Sequence, residues 1–337
     1  MCGRSLLLLC VFLSACSSEP KLQKIEGFAQ GTTYHISYWT TTQVDTKAIE
    51  ATVGAIFENI DKTLSNYRPD SRIEQFNAST STTSQEVGPE IVSLVRVSRN
   101  VYELSHGCFD LTIKPLFDLW GFKADKLNIP DQATIDEQLT QVGMNKIEVV
   151  DDTHLLKTLP NVRVDVSAVA QGFSVGQISD ALEQQGIKNY MVEIGGELKT
   201  NGHKPDGQAW RIAVEKPLPA ERSIHKIITM PKDVPMSVMT SGTYRHYFDA
   251  NGQHYSHILD ARTGRPVTHN LVGVTVLHEN PTIADAWSTT LLCLGQQDGM
   301  KLANSEKINA IFIRQQDSEL LETQSESLRL TNNLSIQ

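Results

Sequence analysis

The stretch SHILDARTGRPVTHNLVGVTVLHENPTIADAWST, residues 256–289, sets two groups of reactive side chains on either side of one strand. The first group is Ser256, His257 and Asp260, followed by the turn Thr263-Gly264-Arg265-Pro266. The second is Asp285 and Thr289. They fall in the apolar run that follows Pro281-Thr282 and continues from Ile283 to Leu294 without a helix breaker. Their spacing puts both on one helical face, about one turn apart. A carboxylate and a hydroxyl so placed are hard oxygen ligands suited to Mg²⁺, with water or substrate phosphates completing the shell. The same residues also fit a capping box, with Thr282 as N-cap, Asp285 reaching back to it and Thr289 an ordinary helix position.

Around His257, the pair Asn251-Gly252 predicts a two-residue hairpin turn between Tyr247-Phe248 and His254 to Ile258. His257 therefore lies on or just past a strand, with Asp260 near enough to orient it. An imidazole with an ordinary pKa of about 6.5 can act as a general base near neutral pH. The alternative is a surface strand histidine. The Thr-Gly-Arg-Pro turn favours a functional reading, because an arginine beside a glycine turn often contacts anions.

At the N-terminus, Arg4 is followed by an apolar stretch from Leu6 to Leu13, too short to span a membrane as a mature helix. Leu13-Ser14-Ala15-Cys16 resembles a bacterial lipobox. It predicts a signal peptide over 1–15, lipidation of Cys16, a polar tether over 16–24 and one large domain over 25–337. An ordinary secretory signal is the alternative. No later segment approaches the roughly 20 apolar residues of a membrane helix. Of the five cysteines, Cys108 and Cys293 are left to the mature domain, and in an oxidising compartment one bridge between them is possible. No C-x-x-C or H-x-x-x-H cluster suggests zinc. The net charge of -9 argues against a nucleic-acid surface.

The domain opens with a strand pair over Gly27–Tyr38, then a helix over Thr46–Leu64 whose Ile49, Val53, Ile56, Phe57 and Ile60 share a face. Turn-rich Ser65–Ser71 carries Tyr67, which suits either stacking on a flat ring or ordinary packing. Pro89 opens a second helix, and Gly107–Phe122 is aromatic-rich, fit for a core corner or a pocket wall. A short helix is expected over Thr134–Val142, with short strands over 147–150, 155–156 and 162–166. Arg163–Phe173 then reads as a strand ending at Asp165 and a helix beginning through small residues, a geometry that can hold phosphate. It matches neither a P-loop nor a dinucleotide fingerprint. Gly172 and Gly176 suit close helix packing or a ligand. Further strands are expected over 190–194, 198–200, 210–214, 225–230, 236–240, 310–313 and 319–323. Asp206-Gly207 reads as a hairpin turn, and a separate helix is expected over Asp298–Ser305. The order favours α+β with largely antiparallel sheet over a doubly wound parallel sheet.

Taken in order, Ser65–Ser71 (SNYRPDS), Leu119–Phe122 (LWGF), Asp165–Gly172 (DVSAVAQG), Val192–Glu197 (VEIGGE), Thr240–Arg245 (TSGTYR), Ser256–Pro266 (SHILDARTGRP) and Ala284–Thr289 (ADAWST) resemble the FAD:protein FMN transferase family, the ApbE-like flavin transferases. The resemblance runs from about Gly27 to Ile313. It implies an enzyme that binds FAD and Mg²⁺ and moves the FMN half onto a Thr or Ser hydroxyl of a partner protein, releasing AMP. The implied acceptors are subunits of Na⁺-translocating NADH:quinone reductase or Rnf-type complexes, and the implied location is the periplasmic face of a bacterial membrane, the inner one favoured.

Carried over by position, the resemblance implies that Asp285, Thr289 and the carbonyl of Ala168 hold the metal. It implies flavin-nucleotide contacts at Gln30, Tyr67, Cys108, Phe109, Asp110, Asp165, Gln171 and Leu259, and a transfer-assisting role for His257. The chain departs from many members at Gln171, where they have Lys, at Ala261, where they have Pro, and at Ser288, where some have an acid. The rivals to transfer are Mg²⁺-dependent hydrolysis of FAD to FMN and AMP, and a non-catalytic FAD-binding lipoprotein.

Overall fold

The computed structural model describes residues 21–217, 223–331 and 334–337. The signal peptide, the lipobox with Cys16 and most of the tether lie outside these residues. Regular structure begins at Gln23, slightly before the expected domain start at position 25.

The frame is an eight-stranded sheet. Its strands run, in spatial order, Gln23–Ala29, Thr32–Trp39, Asn189–Ile194, Glu197–Asn201, Met236–Gly242, Leu271–His278, Asn309–Gln316 and Glu319–Gln324. Every neighbouring pair is antiparallel. The period-two alternation of a strand serves two cores here. Met239, Val274, Val276 and Phe312 face one core, while Val238, Leu277, Ile311 and Ile313 face the other. The second core is closed by a small sheet of Arg211–Glu215, Ile224–Thr229 and Ser335–Ile336. The α+β reading holds.

Helices cover the cores. They are α1 (Thr46–Leu64), α2 (Arg72–Ala78), α3 (Pro89–Leu104), α4 (Lys114–Trp120), α5 (Gln132–Leu139), α6 (Ser167–Gln184), α7 (Pro281–Ser305) and α8 (Glu326–Leu330). The Asp45 carboxylate accepts from the N–H groups of Lys47 and Ala48, which fixes the start of α1. Ile49, Val53, Phe57 and Ile60 are buried from one face of it. A third core, under α4 and α5, takes in Trp120, Ile135 and Leu259. There the Trp120 indole N–H donates to the Gly264 carbonyl at 2.8 Å. Gly264 has φ +69°, and a Cβ on it would meet Ile135 at 2.6 Å. The Thr263–Arg265 turn is therefore an anchor for the short strand Leu259–Asp260.

Three expectations differ from the structure. Val162–Val166 is not a strand. The Asn77 amide donates to the Val164 carbonyl at 2.8 Å and accepts from its N–H at 2.6 Å. Asn66 likewise donates to the Val164 carbonyl at 3.0 Å and accepts from Val166 N–H at 3.0 Å. Two buried side-chain amides thus stand in for a neighbouring strand. Asp206-Gly207 does turn the chain, but the flanking strands belong to different sheets and do not pair. The helix expected over 298–305 is present as the part of α7 beyond Gly295, whose φ of +77° and ψ of -178° are not helical. The N-cap of α7 is Asn280, whose side chain accepts from Ile283 N–H, with Pro281 following it, so Thr282 and Asp285 form no capping box.

Candidate active site

A cavity of about 320 Å³ opens where α6, α7 and the 256–266 segment meet the end of the central sheet. On one side stand Ala168, Asp285 and Thr289. Gly172 makes this juxtaposition possible, because a Cβ on it would lie 2.4 Å from the Pro281 carbonyl oxygen. With only hydrogen there, the Gly172 N–H donates to the Asp285 carboxylate at 2.8 Å. In an α-helix that N–H belongs to the carbonyl four residues earlier, here Ala168. The Ala168 carbonyl therefore keeps lone pairs to spare beside Asp285. The Thr289 hydroxyl is held 2.9 Å from Ser241 Oγ, itself 2.7 Å from Ser288 Oγ.

Asp285 is buried and forms no ion pair among the described residues. Burial pushes its carboxyl up to about 7, against the opposing pull of the Gly172 N–H. Glu197 lines the same cavity and is also pushed well up, by burial and then by the charge of Asp285. Two buried carboxylates facing one cavity, with a carbonyl and a hydroxyl beside them, are an all-oxygen donor set. That set fits Mg²⁺.

His257 faces the same cavity from just beyond the strand Gln253–Ser256. The preceding turn has φ of 54° at Asn251 and 73° at Gly252, the double positive φ of a type I′ hairpin. Nδ1 of His257 lies 2.8 Å from the His246 carbonyl oxygen, and the two rings stack with centroids 5.8 Å apart. A carbonyl only accepts, so Nδ1 carries the proton and Nε2 keeps the lone pair. Burial first, then the charges of His246 and Arg245, hold this imidazole down to about 4. It is therefore neutral near pH 7. Asp260 does not orient it, since both its carboxylate oxygens are engaged by Arg262. Nor does Arg265 face the cavity; its guanidinium donates to Gln132.

The opposite wall is Cys108, Phe109 and Asp110, with Leu259, Asp165 and Gln171 nearby. Tyr67 stands at the rim, 74% exposed, an aromatic ring presented to whatever enters. The Asp110 carboxylate is spent on the fold, accepting from Thr112 N–H and hydroxyl at 2.7 and 2.6 Å and from Met144 N–H at 3.1 Å. Asp165 accepts from Ser167 N–H at 2.9 Å, so a carboxylate already occupies the start of α6. Cys108 and Cys293 form a disulfide at the base of this wall. Gln30 is the one expected contact within the described residues that does not line the cavity. Its amide donates to Ser174 on α6 at 2.7 Å.

A model described as the ApbE family matches residues 30–312. The chain belongs to the ApbE family. It is 36% identical over 324 residues to a FAD:protein FMN transferase of Vibrio cholerae, covering 95% of each chain. It is 33% identical to one of Haemophilus influenzae, over 94% of this chain and 93% of that protein. Among solved structures, it matches the flavin transferase ApbE from Vibrio cholerae with a TM-score of 0.83 and 34% identity, covering 92% of this chain and 99% of that one. The apo form of the Pseudomonas stutzeri flavinyl transferase ApbE matches with the same TM-score and identity, over 91% and 96%.

Within this ApbE-family cavity, Glu197, Ser241, Arg245 and His246 are lining residues to which sequence reasoning gave no role. Glu197 and Arg245 end the VEIGGE and TSGTYR segments, so the signal was present. What placed them was strand pairing, with Leu198 opposite Val238. The Glu197 carboxylate accepts from Thr240 N–H at 2.9 Å. The Arg245 guanidinium donates to the Gly195 carbonyl at 3.2 Å, and a Cβ on Gly196 would come within 3.2 Å of it. Gly196 leaves room for that guanidinium, while a Cβ on Gly195 would meet Gln171 and Thr32.

Proposed function

We propose that this chain transfers the FMN half of FAD to a Thr or Ser hydroxyl of a partner protein, releasing AMP. The observation that carries the reading is the placement of His257, neutral and with Nε2 free to accept, on the same cavity as Asp285, Thr289 and the Ala168 carbonyl. Membership of a family whose relatives are named FAD:protein FMN transferase supports it.

The residues divide the work. Tyr67 and the Cys108–Asp110 wall receive the flavin ring. Asp285, Thr289 and the Ala168 carbonyl hold Mg²⁺, with Glu197 adding a second carboxylate nearby. When bound, Mg²⁺ supplies positive charge against the pyrophosphate as its P–O–P bond breaks. The acceptor hydroxyl attacks the phosphorus attached to riboflavin, and His257 Nε2 takes its proton. A new phosphoester bond to the acceptor forms, and AMP carries away the electron pair of the broken bond. The His246 carbonyl holds the His257 ring in the required tautomer throughout.

The partner and location belong to the same proposal. The lipobox ending at Cys16 supports a lipid anchor, and the Cys108–Cys293 disulfide supports an oxidising compartment, hence the periplasmic face of a bacterial membrane. Redox subunits of Na⁺-translocating NADH:quinone reductase or Rnf type would be the acceptors.

The test incubates the protein with FAD, with and without Mg²⁺ and an acceptor domain carrying the target Thr. Flavin fluorescence is read on a denaturing gel and AMP by chromatography. A fluorescent acceptor band that needs Mg²⁺ is the expected result. AMP without the band, given a competent acceptor, would replace transfer by hydrolysis to FMN and AMP. Bound flavin with neither product would leave a carrier.

A further inference from the structure

The Cys108–Cys293 disulfide closes a loop of 185 residues in sequence separation at the floor of the cavity. Cys108 begins the flavin-side wall. Cys293 lies on α7 one turn beyond Thr289 and two beyond Asp285, on the same face. Both half-cystines line the cavity, yet they are only 1% and 4% exposed, and Ile258 and Leu259 beside them are buried too. The cavity is thus the solvent-facing side of an otherwise buried bond. An Asp260 carboxylate oxygen and the two sulfurs all lie within 4.8 Å of one another, but sulfurs bonded to each other are not thiolate ligands, so the three make no metal site while the bond is closed.

We propose that this disulfide is a positioning bond of the transfer site, tying the flavin wall to the metal-bearing helix, and that thiol reductants reach it only through the empty cavity, so that bound FAD protects it. The inference rests on FAD occupying this cavity, as proposed above. Opening the bond is a two-electron reduction by a small dithiol. One reductant thiolate attacks a cystine sulfur, the S–S bond breaks, and a mixed disulfide forms. The second reductant thiol then displaces the protein sulfur. The protein gains two electrons and two protons as two thiols, and the reductant leaves as its cyclic disulfide. Attack needs access to a sulfur, and a nucleotide filling the cavity removes that access. Linkage adds an equilibrium side. If the closed form binds FAD more tightly by some factor, FAD favours the closed form by the same factor.

The test uses the air-oxidised protein in EDTA, which prevents turnover and keeps stray metal off freed thiols. FAD affinity is measured by fluorescence titration. Dithiothreitol is then added at several FAD concentrations, and freed thiols are trapped with a maleimide and counted by mass. The reduction half-life should rise in proportion to 1 + [FAD]/Kd. Riboflavin-free AMP should protect less than FAD at equal occupancy, because it leaves the flavin wall open. Saturable FAD binding with an unchanged reduction rate overturns the inference while leaving the functional reading intact. No saturable FAD binding sinks both. For the positioning role, the fully reduced protein and the Cys108→Ala/Cys293→Ala double variant are assayed for transfer alongside circular dichroism. Unchanged dichroism with KM for FAD raised about fivefold or more is expected. Unchanged KM and kcat in both would refute the positioning role.

Discussion

Replacing Gly172 by alanine probes the contact on which the placement of Asp285 in the cavity depends. The new Cβ would lie 2.4 Å from the Pro281 carbonyl oxygen and 2.7 Å from the Cβ of Asp285. Ordinary contacts begin near 3.4 Å, and a backbone oxygen cannot swing aside. The start of α7 must therefore retreat from α6 by about an ångström, since packed interiors have no slack to absorb it. Overpacking of this kind costs about 1–3 kcal/mol. A domain with roughly 5–15 kcal/mol of stability survives that loss. The site fares worse. Asp285 travels with α7, and its 2.8 Å bond from Gly172 N–H stretches beyond hydrogen-bonding range. A misplacement of about 1 Å at a reacting centre is worth about 100-fold in rate. The assay is Mg²⁺-dependent AMP release at saturating FAD, with a thermal melt on the same protein. A slightly lower Tm is expected, with a much lower rate and a higher Mg²⁺ requirement. A folded variant with the parent's Mg²⁺ requirement and rate would refute the idea that the α6 backbone positions Asp285.

Other perturbations separate the remaining roles. His257→Ala should keep FAD binding by fluorescence titration and lose transfer by about 10²–10⁴-fold, the usual worth of a positioned base. The same residue predicts a pH effect on stability. Its folded pKa of about 4 lies below the unfolded 6.5, so between these values the unfolded chain binds more protons and stability rises with pH. The contribution is complete above about 6.5 and is lost as pH falls toward 4. Denaturant titrations of parent and His257→Ala at pH 4.5 and 7 should show the parent losing more stability on acidification, and parallel losses would remove the assignment. Asn77→Ala strips Val164 of two hydrogen bonds; its carbonyl keeps the bond from Asn66, but its N–H is left unsatisfied, which costs about 1–3 kcal/mol. A clear fall in the urea midpoint is expected, and an unchanged midpoint would show that water replaces the amide. Asp285→Asn keeps the shape but removes the charge, so Mg²⁺ dependence should vanish from AMP release while FAD still quenches on binding.

Much of this architecture was written locally. The α1 helix is legible because Asp45 caps it and its apolar period is unbroken. The small-residue face at Gly172 and Gly176 was readable as close packing, and Gly172 proves to serve packing and site together. The residues expected to touch metal or nucleotide converge on one cavity, with Gln30 the exception, because its amide is donated to Ser174 on α6 instead. What was not legible depends on partners far away in sequence. Val162–Val166 has the alternation of a strand, and only the approach of Asn66 and Asn77 makes it something else. Asp260 sits next to His257 in the chain, yet Arg262 claims it and the His246 carbonyl takes its expected role. Glu197 and Arg245 are polar residues at strand ends until the sheet register brings them to the cavity. The short α2 gave no periodic signal long enough to find.

The paired asparagines also bear on how the molecule ages. Each offers Val164 or Val166 both a donor and an acceptor, a combination no carboxylate can match. Deamidation of Asn66 or Asn77 to aspartate would set an anionic oxygen against the Val164 carbonyl. The damage would lie immediately upstream of Asp165 and the start of α6, so a stored sample could lose nucleotide binding before it lost its secondary structure. A mass shift of one unit at either position would mark that damage.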